Sequence, residues 1–367
     1  MKRLLLAFAV LVILIVCGFG VIAPRVQRYL LAPPSHWPGD KFMLFEIKEG
    51  AKAGPVAEQL AKKGIIRSSW QFKRTMRGLG IESKLRPGLY RIEPGKNAEE
   101  IARQLGNHET WTIKVTLPEG LTIAQIADRI EKAGKVEGGQ WLPRAKEIRA
   151  AATADAYRQA TGIGLPTKSA EGYLFPATYQ FEAGSKADQI VAVMFREFFT
   201  RFVRRYEDPI KTRRLTPHEL VTLASIVERE AVKDAERPII AQVFLNRISR
   251  GMKLESCATV EYILPQHKAR LTYRDIRTPS PYNTYINRGL PPGPICNPGD
   301  ASLKAAVYPQ KTSALYFVSN GDGTHTFSTT YQEHLAAKAR AESSARGGSD
   351  RAVKPNAQAG SPPVTGP

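Results

Sequence analysis

Residues 115–130 read VTLPEGLTIAQIADRI, a stretch whose period changes halfway. Val115 and Leu117 alternate with polar neighbours, as on a strand with one buried face. Ile126, Ala127 and Ile130 then recur at i, i+1 and i+4, as on an amphipathic helix. Gly120 lies at the change, where a sharp reversal favours a residue without a Cβ. The same arrangement recurs in FEIKEGAKAGPVAEQL (45–60) and YRIEPGKNAEEIARQL (90–105), with Gly50 and Gly95 at the turns. Three β-turn-α units imply an α+β fold. Units of this kind make small modules that hold glycan chains, and they serve equally well as plain packing modules.

Upstream, residues 4–23 read LLLAFAVLVILIVCGFGVIA, uncharged throughout, preceded by Lys2 and Arg3 and followed by Pro24, Arg25 and Arg28. At about 1.5 Å per residue this stretch can cross a hydrocarbon core of about 30 Å. Its length exceeds the apolar part of a signal peptide, and Pro24 spoils the small-residue cleavage site, so an uncleaved anchor over residues 1–24 is expected. Lys2 and Arg3 put the N-terminus in the cytoplasm and the bulk of the chain outside it, in the periplasmic or extracytoplasmic space. Cys17 reads as one more apolar residue of the span.

Lys and Arg total 53 against 34 Asp and Glu, a net charge of +19. The excess includes the cluster RFVRRYEDPIKTRR (201–214), which a solvated helix face and loop would also explain. An anionic partner is implied: nucleic acid, an anionic lipid surface and an anionic wall polymer all fit that sign. Export disfavours nucleic acid. Cys257 and Cys296 are too few for a four-ligand zinc site and fit either one disulfide or two buried thiols. His325 has no second His at metal-ligand spacing, so no metal and no cofactor is expected.

Downstream, residues 140–167 read as helical and polar, and helices are expected over 186–206, 217–231 and 238–250, with a short one near 302–307. LYFVS (315–319) reads as a strand, and GDGTHTFS (321–328) as a turn entering another. The tail from 341 to 367 is rich in Gly, Pro, Ser and Ala and is expected to be disordered.

The helix from 217 opens with Thr216-Pro217-His218-Glu219, a capping box with Pro at the first helical position. It ends in LASIVERE (223–230), where two glutamates close an apolar run. At about 100° per residue Ala224, Val227 and Ala231 share one face. Glu228 falls beside that face near Val221, and Glu230 on the opposite margin near Leu223, so the two carboxyls diverge. A carboxyl on an apolar border is partly desolvated, which favours the neutral acid and suits a proton donor. Most glutamates at such margins are simply solvated.

Further motifs lie downstream. TPSPYNTYINRGLPPGPICNPGDASLKAA (278–306), with LASIVERE, EGYLFPATY (171–179 within 169–181), FLNR (244–247) and YFVSNGDGTHTFS (316–328), closely resembles the endolytic murein transglycosylases of the MltG (YceG-like) family. The likeness covers roughly residues 43–335. It implies a transmembrane helix, a small LysM-like β-α module over 43–110 and a mixed α/β catalytic domain over 111–335. It also implies that the enzyme acts on peptidoglycan glycan strands beside the peptidoglycan synthases. The family's catalytic glutamate falls on Glu228, and Glu230, Glu236, Asn246 and Arg247 match supporting polar positions. Tyr282, Asn283, Thr284 and Tyr285 match a loop lining the cleft, with Glu171 and Tyr173 opposite, and His325 and Phe327 fall on an HTF motif. Ala177 and Cys257 each stand where many members have Asp. That departure, with Cys at 296, implies a disulfide between Cys257 and Cys296.

The resemblance further implies a lytic reaction with one carboxyl rather than a pair. Glu228 would protonate the oxygen between MurNAc and GlcNAc, then take the proton of the MurNAc 6-hydroxyl as a 1,6-anhydro ring closes. A hydrolase would need a second carboxylate. The competing expectation is a membrane-tethered glycan-binding scaffold in which Glu228 is inert.

Overall fold

The computed structural model describes residues 22–37, 41–136, 139–266, 268 and 271–347. The chain divides into two compact units, residues 1–113 with 180–184 and residues 114–179 with 185–367. Most of the expected anchor, residues 1–21, lies outside the described residues. Among the described residues no helix is long and apolar enough to cross a membrane.

In the first unit β1 (Met43–Ile47) and β2 (Gly88–Ile92) pair antiparallel, with Phe45 opposite Tyr90. Helices α1 (Ala53–Lys62) and α2 (Ser69–Gly78) lie between them in sequence, and α3 (Ala98–Gly106) follows. Capping residues set the starts: the Ser68 side chain accepts from Gln71 N–H, and Asn97 and Glu100 form a reciprocal box. Phe45, Leu60, Phe72, Met76, Tyr90, Ile101 and Leu105 close a core of their own. The first two strand-turn-helix repeats are therefore both present, with Gly50 and Gly95 at positive φ.

The third repeat, β3 (Thr112–Thr116) and α4 (Ile123–Gly134), leads into the second unit, and β3 pairs with β6 (Thr178–Glu182). Between them come a short hairpin, β4 (Lys135–Val136) and β5 (Gly139–Gln140), and two helices, α5 (Ala145–Ala151) and α6 (Ala154–Thr161). The helix expected over 186–206 is instead α7 (Ala187–Phe198) followed by a π-helical segment, Phe199–Arg204. Phe198 and Phe202, four positions apart and so on one face, are both buried in the core. After α8 (Glu207–Lys211) the chain forms α9 (Pro217–Glu230), α10 (Arg237–Ser249) and α11 (Cys257–Ile263). Helix α12 (Asp300–Val307), the hairpin β7 (Tyr316–Ser319) and β8 (His325–Ser328), and α13 (Tyr331–Gly347) complete it.

Two expectations change here. Residues 341–347, assigned to a disordered tail, continue α13, because the Ala-rich run after Leu335 favours helix; residues 348–367 lie outside the described residues. Helix α9 buries every residue from Leu220 to Val227 rather than one face. It packs against both α10 and α12, so its polar members are enclosed too. Thr222 and Ser225 stay satisfied by donating to the carbonyls of His218 (2.8 Å) and Thr222 (2.7 Å). Each of Leu220, Val221, Leu223, Ile226 and Val227 contributes roughly 1.5–3 kcal/mol by burial. The helix is a rigid spine with its last turn at the site.

Candidate active site

Glu228 sits in that last turn with its side chain only 6% exposed. Its Oε1 accepts from Arg237 Nη1 at 3.2 Å, and its Oε2 accepts the Gly299 N–H at 3.0 Å. Both partners donate, which is the setting of a carboxylate. The apolar border anticipated for Glu228 is thus replaced by a guanidinium and a backbone amide, brought there by α10 and by the start of α12. Arg237 opens α10 and is itself fixed, Nη1 donating to Ser302 Oγ (2.6 Å) and Nε to Asp234 (2.8 Å).

The segment Pro294–Gly299 runs along α9 and holds the site together. Ile295 N–H donates to Ser225 Oγ (3.0 Å), and the Cys296 thiol lies 3.3 Å from the Ser225 carbonyl. Asn297 is a fully buried hub. Its Oδ1 accepts from Leu174 N–H (2.8 Å), and its Nδ2 donates to the Leu121 carbonyl (2.9 Å) and to Glu171 (2.8 Å). Its backbone N–H donates to Leu121 and its carbonyl accepts from Gly120. Glu171 also accepts the Ile123 N–H at 3.0 Å, which starts α4. Burial pushes the Glu171 carboxyl up to about 7, against the lowering effect of these hydrogen bonds. Gly172 has φ +89°, and a Cβ there would meet Pro294 at 2.4 Å, so this approach requires glycine.

The hub fixes the turn at 119–121, and with it a residue that the sequence reading passed over. A Cβ on Gly299 would lie 1.8 Å from Glu119 Oε1, so the Glu119 carboxyl rests against the same glycine whose N–H binds Glu228. A Cβ on Gly120 would lie 3.6 Å from Glu228 Cγ. Glu119 keeps an exposed face, yet partial desolvation of its carboxyl and then the charge of Glu228 raise its pKa above the ordinary glutamate range. A second carboxyl therefore lies beside the one expected at Glu228. The signal was present in PEG at 118–120, but Glu49-Gly50 and Glu93-Pro94-Gly95 repeat the pairing at solvated turns and disguise it.

The remaining anticipated residues mostly brace the fold. Glu230 diverges from Glu228 as expected and accepts from Ser256 Oγ. Asn246 donates to the carbonyls of Thr312 and Ala314, and Arg247 to those of Leu315, Lys253 and Leu254. Asn283 Nδ2 donates to Ile276 and Thr278 carbonyls, while Thr284 Oγ1 accepts from Ser256 N–H. These polar groups have partners within the chain, and those of Asn283 and Thr284 shape the loop at 276–287. Tyr173 is buried, its hydroxyl 2.8 Å from His218 Nδ1, and Tyr282 packs on Tyr262. His325 Nδ1 meets Glu236 at 2.7 Å, and Phe327 lies opposite Phe317 in the hairpin. Cys257 and Cys296 are separate thiols, which corrects the disulfide: Cys257 Sγ lies 3.1 Å from the Tyr285 hydroxyl, while Cys296 faces Ser225. Each is drawn to a different partner. Among the described residues no group of three or more His, Cys, Asp or Glu side chains could hold a metal ion.

A buried helix ending on a carboxylate, with an arginine and a loop amide converging on it inside a mixed α+β fold, defines a carboxylate-centred site. The YceG-like family model matches residues 45–340, and the chain belongs to that family. It is similar to the endolytic murein transglycosylase of Bacillus subtilis strain 168, 34% identical over 304 residues, covering 80% of this chain and 82% of that one. The endolytic murein transglycosylase of Streptococcus pneumoniae serotype 2 is 27% identical over 320 residues, 80% of this chain and 57% of that protein. The crystal structure of a YceG-like protein from Listeria monocytogenes aligns with a TM-score of 0.56 at 32% identity, over 81% of this chain and 99% of that one.

Proposed function

We propose that this chain is a membrane-anchored endolytic transglycosylase that cuts the MurNAc–GlcNAc bond of nascent peptidoglycan strands and leaves 1,6-anhydroMurNAc ends, which terminates glycan elongation. The names of the relatives support the activity and the substrate class. The observation that carries the chemistry is Glu228, enclosed yet paired with Arg237 and the Gly299 amide. A carboxylate so held is oriented to take the proton of the 6-hydroxyl while that oxygen closes on the anomeric carbon. The nucleophile belongs to the sugar, so no water is consumed and orientation supplies much of the rate.

The apolar run at 4–23 supports a single-pass anchor in the cytoplasmic membrane, with both units on the outer side. The β-α-α-β order of the first unit, two helices between paired strands, is compatible with a LysM-like glycan-holding role. The net charge of +19 suits strands whose stem peptides carry carboxylates, near an anionic membrane surface and the synthases that make the strands.

The test is digestion of uncross-linked glycan strands by the full-length protein in detergent, followed by mass spectrometry of the fragments. Anhydro-ended products are expected, and Glu228→Gln should lower their rate about 10² to 10⁴-fold. Intact strands that remain bound would support the inert scaffold instead.

A further inference from the structure

We infer that the two carboxyls divide the reaction between them, Glu119 protonating the departing glycosidic oxygen and Glu228 receiving the proton of the 6-hydroxyl. This rests on the transglycosylase reading above and assigns a second catalytic residue to it. The geometry comes from one glycine. Gly299 gives its N–H to Glu228 Oε2, and its missing side chain leaves the space that the Glu119 carboxyl fills. Glu119 cannot drift far from that place by backbone movement. The next residue, Gly120, donates to the Asn297 carbonyl at 2.9 Å, and the Asn297 N–H donates back to Leu121 at 2.8 Å.

The environments of the pair differ in sign. Glu228 has two donors, one of them a guanidinium, and both are partners for a negative charge. Glu119 is partly desolvated, which raises its pKa most, and it is crowded by negative charge: Glu228 from α9, Asp234 from the turn before α10 and Asp300 from the start of α12 raise it further, against the lowering effect of Arg237. Asp300 is partly neutralised by Arg205 at 3.0 Å. Of two neighbouring carboxyls, the one crowded by negative charge keeps its proton more readily and serves as the acid, and the one that faces two donors serves as the base.

The step balances. The Glu119 proton passes to the GlcNAc oxygen as the bond from that oxygen to the MurNAc anomeric carbon breaks. The 6-oxygen forms its bond to that carbon, and its proton passes to Glu228. One proton then returns from Glu228 to Glu119 through solvent, and the pair is reset without a net proton or water.

Leaving-group dependence separates the roles. Full-length protein would be assayed on uncross-linked strands and on a GlcNAc–MurNAc oligosaccharide carrying p-nitrophenol on the terminal MurNAc anomeric carbon, a leaving group that departs without protonation. Glu119→Gln should lose about 10² to 10⁴-fold on strands and far less on the aryl substrate, whereas Glu228→Gln should lose on both. The wild-type rate on strands should fall on the alkaline side as Glu119 deprotonates, and that limb should vanish in Glu119→Gln. Gly299→Ala, whose φ of −82° suits alanine, provides a second variant: its methyl displaces the Glu119 carboxyl and should lower the strand rate while the protein still unfolds cooperatively. Strand cleavage unchanged in Glu119→Gln, equal losses on both substrates, or aryl rescue of Glu228→Gln instead would each overturn the division of roles. Absence of anhydro products from the wild type would overturn the transglycosylase reading itself.

Discussion

The turn at Gly50 and the turn at Gly120 hold their glycines at nearly the same φ in quite different surroundings. Both glycines adopt positive φ, +74° and +78°, both follow a glutamate, and both link a strand to an amphipathic helix. Gly50 is exposed with no atom within 4 Å of an added Cβ, and Glu49 is exposed beside it. The turn at Gly95 is likewise open, and Glu93 pairs with Arg91 at 2.7 Å. Gly120 is buried against the last turn of α9, and Glu119, though exposed like Glu49, lies against Gly299. A local motif therefore sets the path of the chain, while function depends on what distant segments bring to it. Here the difference is made by Asn297, which among the described residues has no counterpart at the other two turns.

Removing that residue should have the largest effect. Asn297→Ala would leave the Leu174 N–H without its side-chain acceptor and deprive buried Glu171 of a donor, and each buried group left unsatisfied costs about 1–3 kcal/mol. A loss of about 3 kcal/mol or more is expected in urea unfolding, with cleavage activity falling in the protein that remains folded. A variant of wild-type stability would mean that the third turn stands without its hub, as the first two do.

Glu171 offers a sharper and somewhat smaller test. Its carboxyl titrates near 7 in the folded chain and in the ordinary glutamate range when unfolded. Between those values the native state binds the extra proton, so the stabilising contribution is full below about pH 4.5 and is lost as pH rises through about 7. Glu171→Gln, which keeps an acceptor for Ile123 and Asn297, should flatten this decline by up to about 3 kcal/mol relative to wild type. Parallel stability curves for the two proteins from pH 4.5 to 7.5 would show that Glu171 is not the group responsible.

What could be read from the sequence follows the same division between local and distant. The three strand-turn-helix repeats and the capping box at Thr216–Glu219 are local patterns, and all are present. The π-helical segment after Phe198 and the all-round burial of α9 depend on neighbours that periodicity does not reveal. Glu228 was legible because it ends an apolar helix inside a recognisable motif. Arg237, Asn297 and Gly299 act on it or on its loop through single hydrogen bonds spanning up to 176 positions, as from Asn297 to Leu121, and such bonds leave no pattern in composition or spacing. Asn283, Arg247 and Glu230 stand in distinctive motifs and each has a partner inside the chain, so a motif alone does not separate a ligand contact from an internal brace.

The smallest expected effect bears most directly on the comparison. Gly50→Ala and Gly120→Ala each force a Cβ into a left-handed conformation, and each should cost about 1–2 kcal/mol by that means alone. The added methyl at 120 makes only ordinary contact with Glu228 Cγ, at 3.6 Å, so it adds little further strain. Yet the backbone relaxation that relieves φ would shift Glu119 at one turn and only solvated Glu49 at the other. Similar losses in urea unfolding, together with a several-fold fall in strand cleavage for Gly120→Ala and none for Gly50→Ala, would show that the position of the third turn matters beyond its stability. Equal activities would mean that the site tolerates movement of that turn, and the functional distinction between the two turns would then rest on the Glu119 side chain rather than on the loop that holds it.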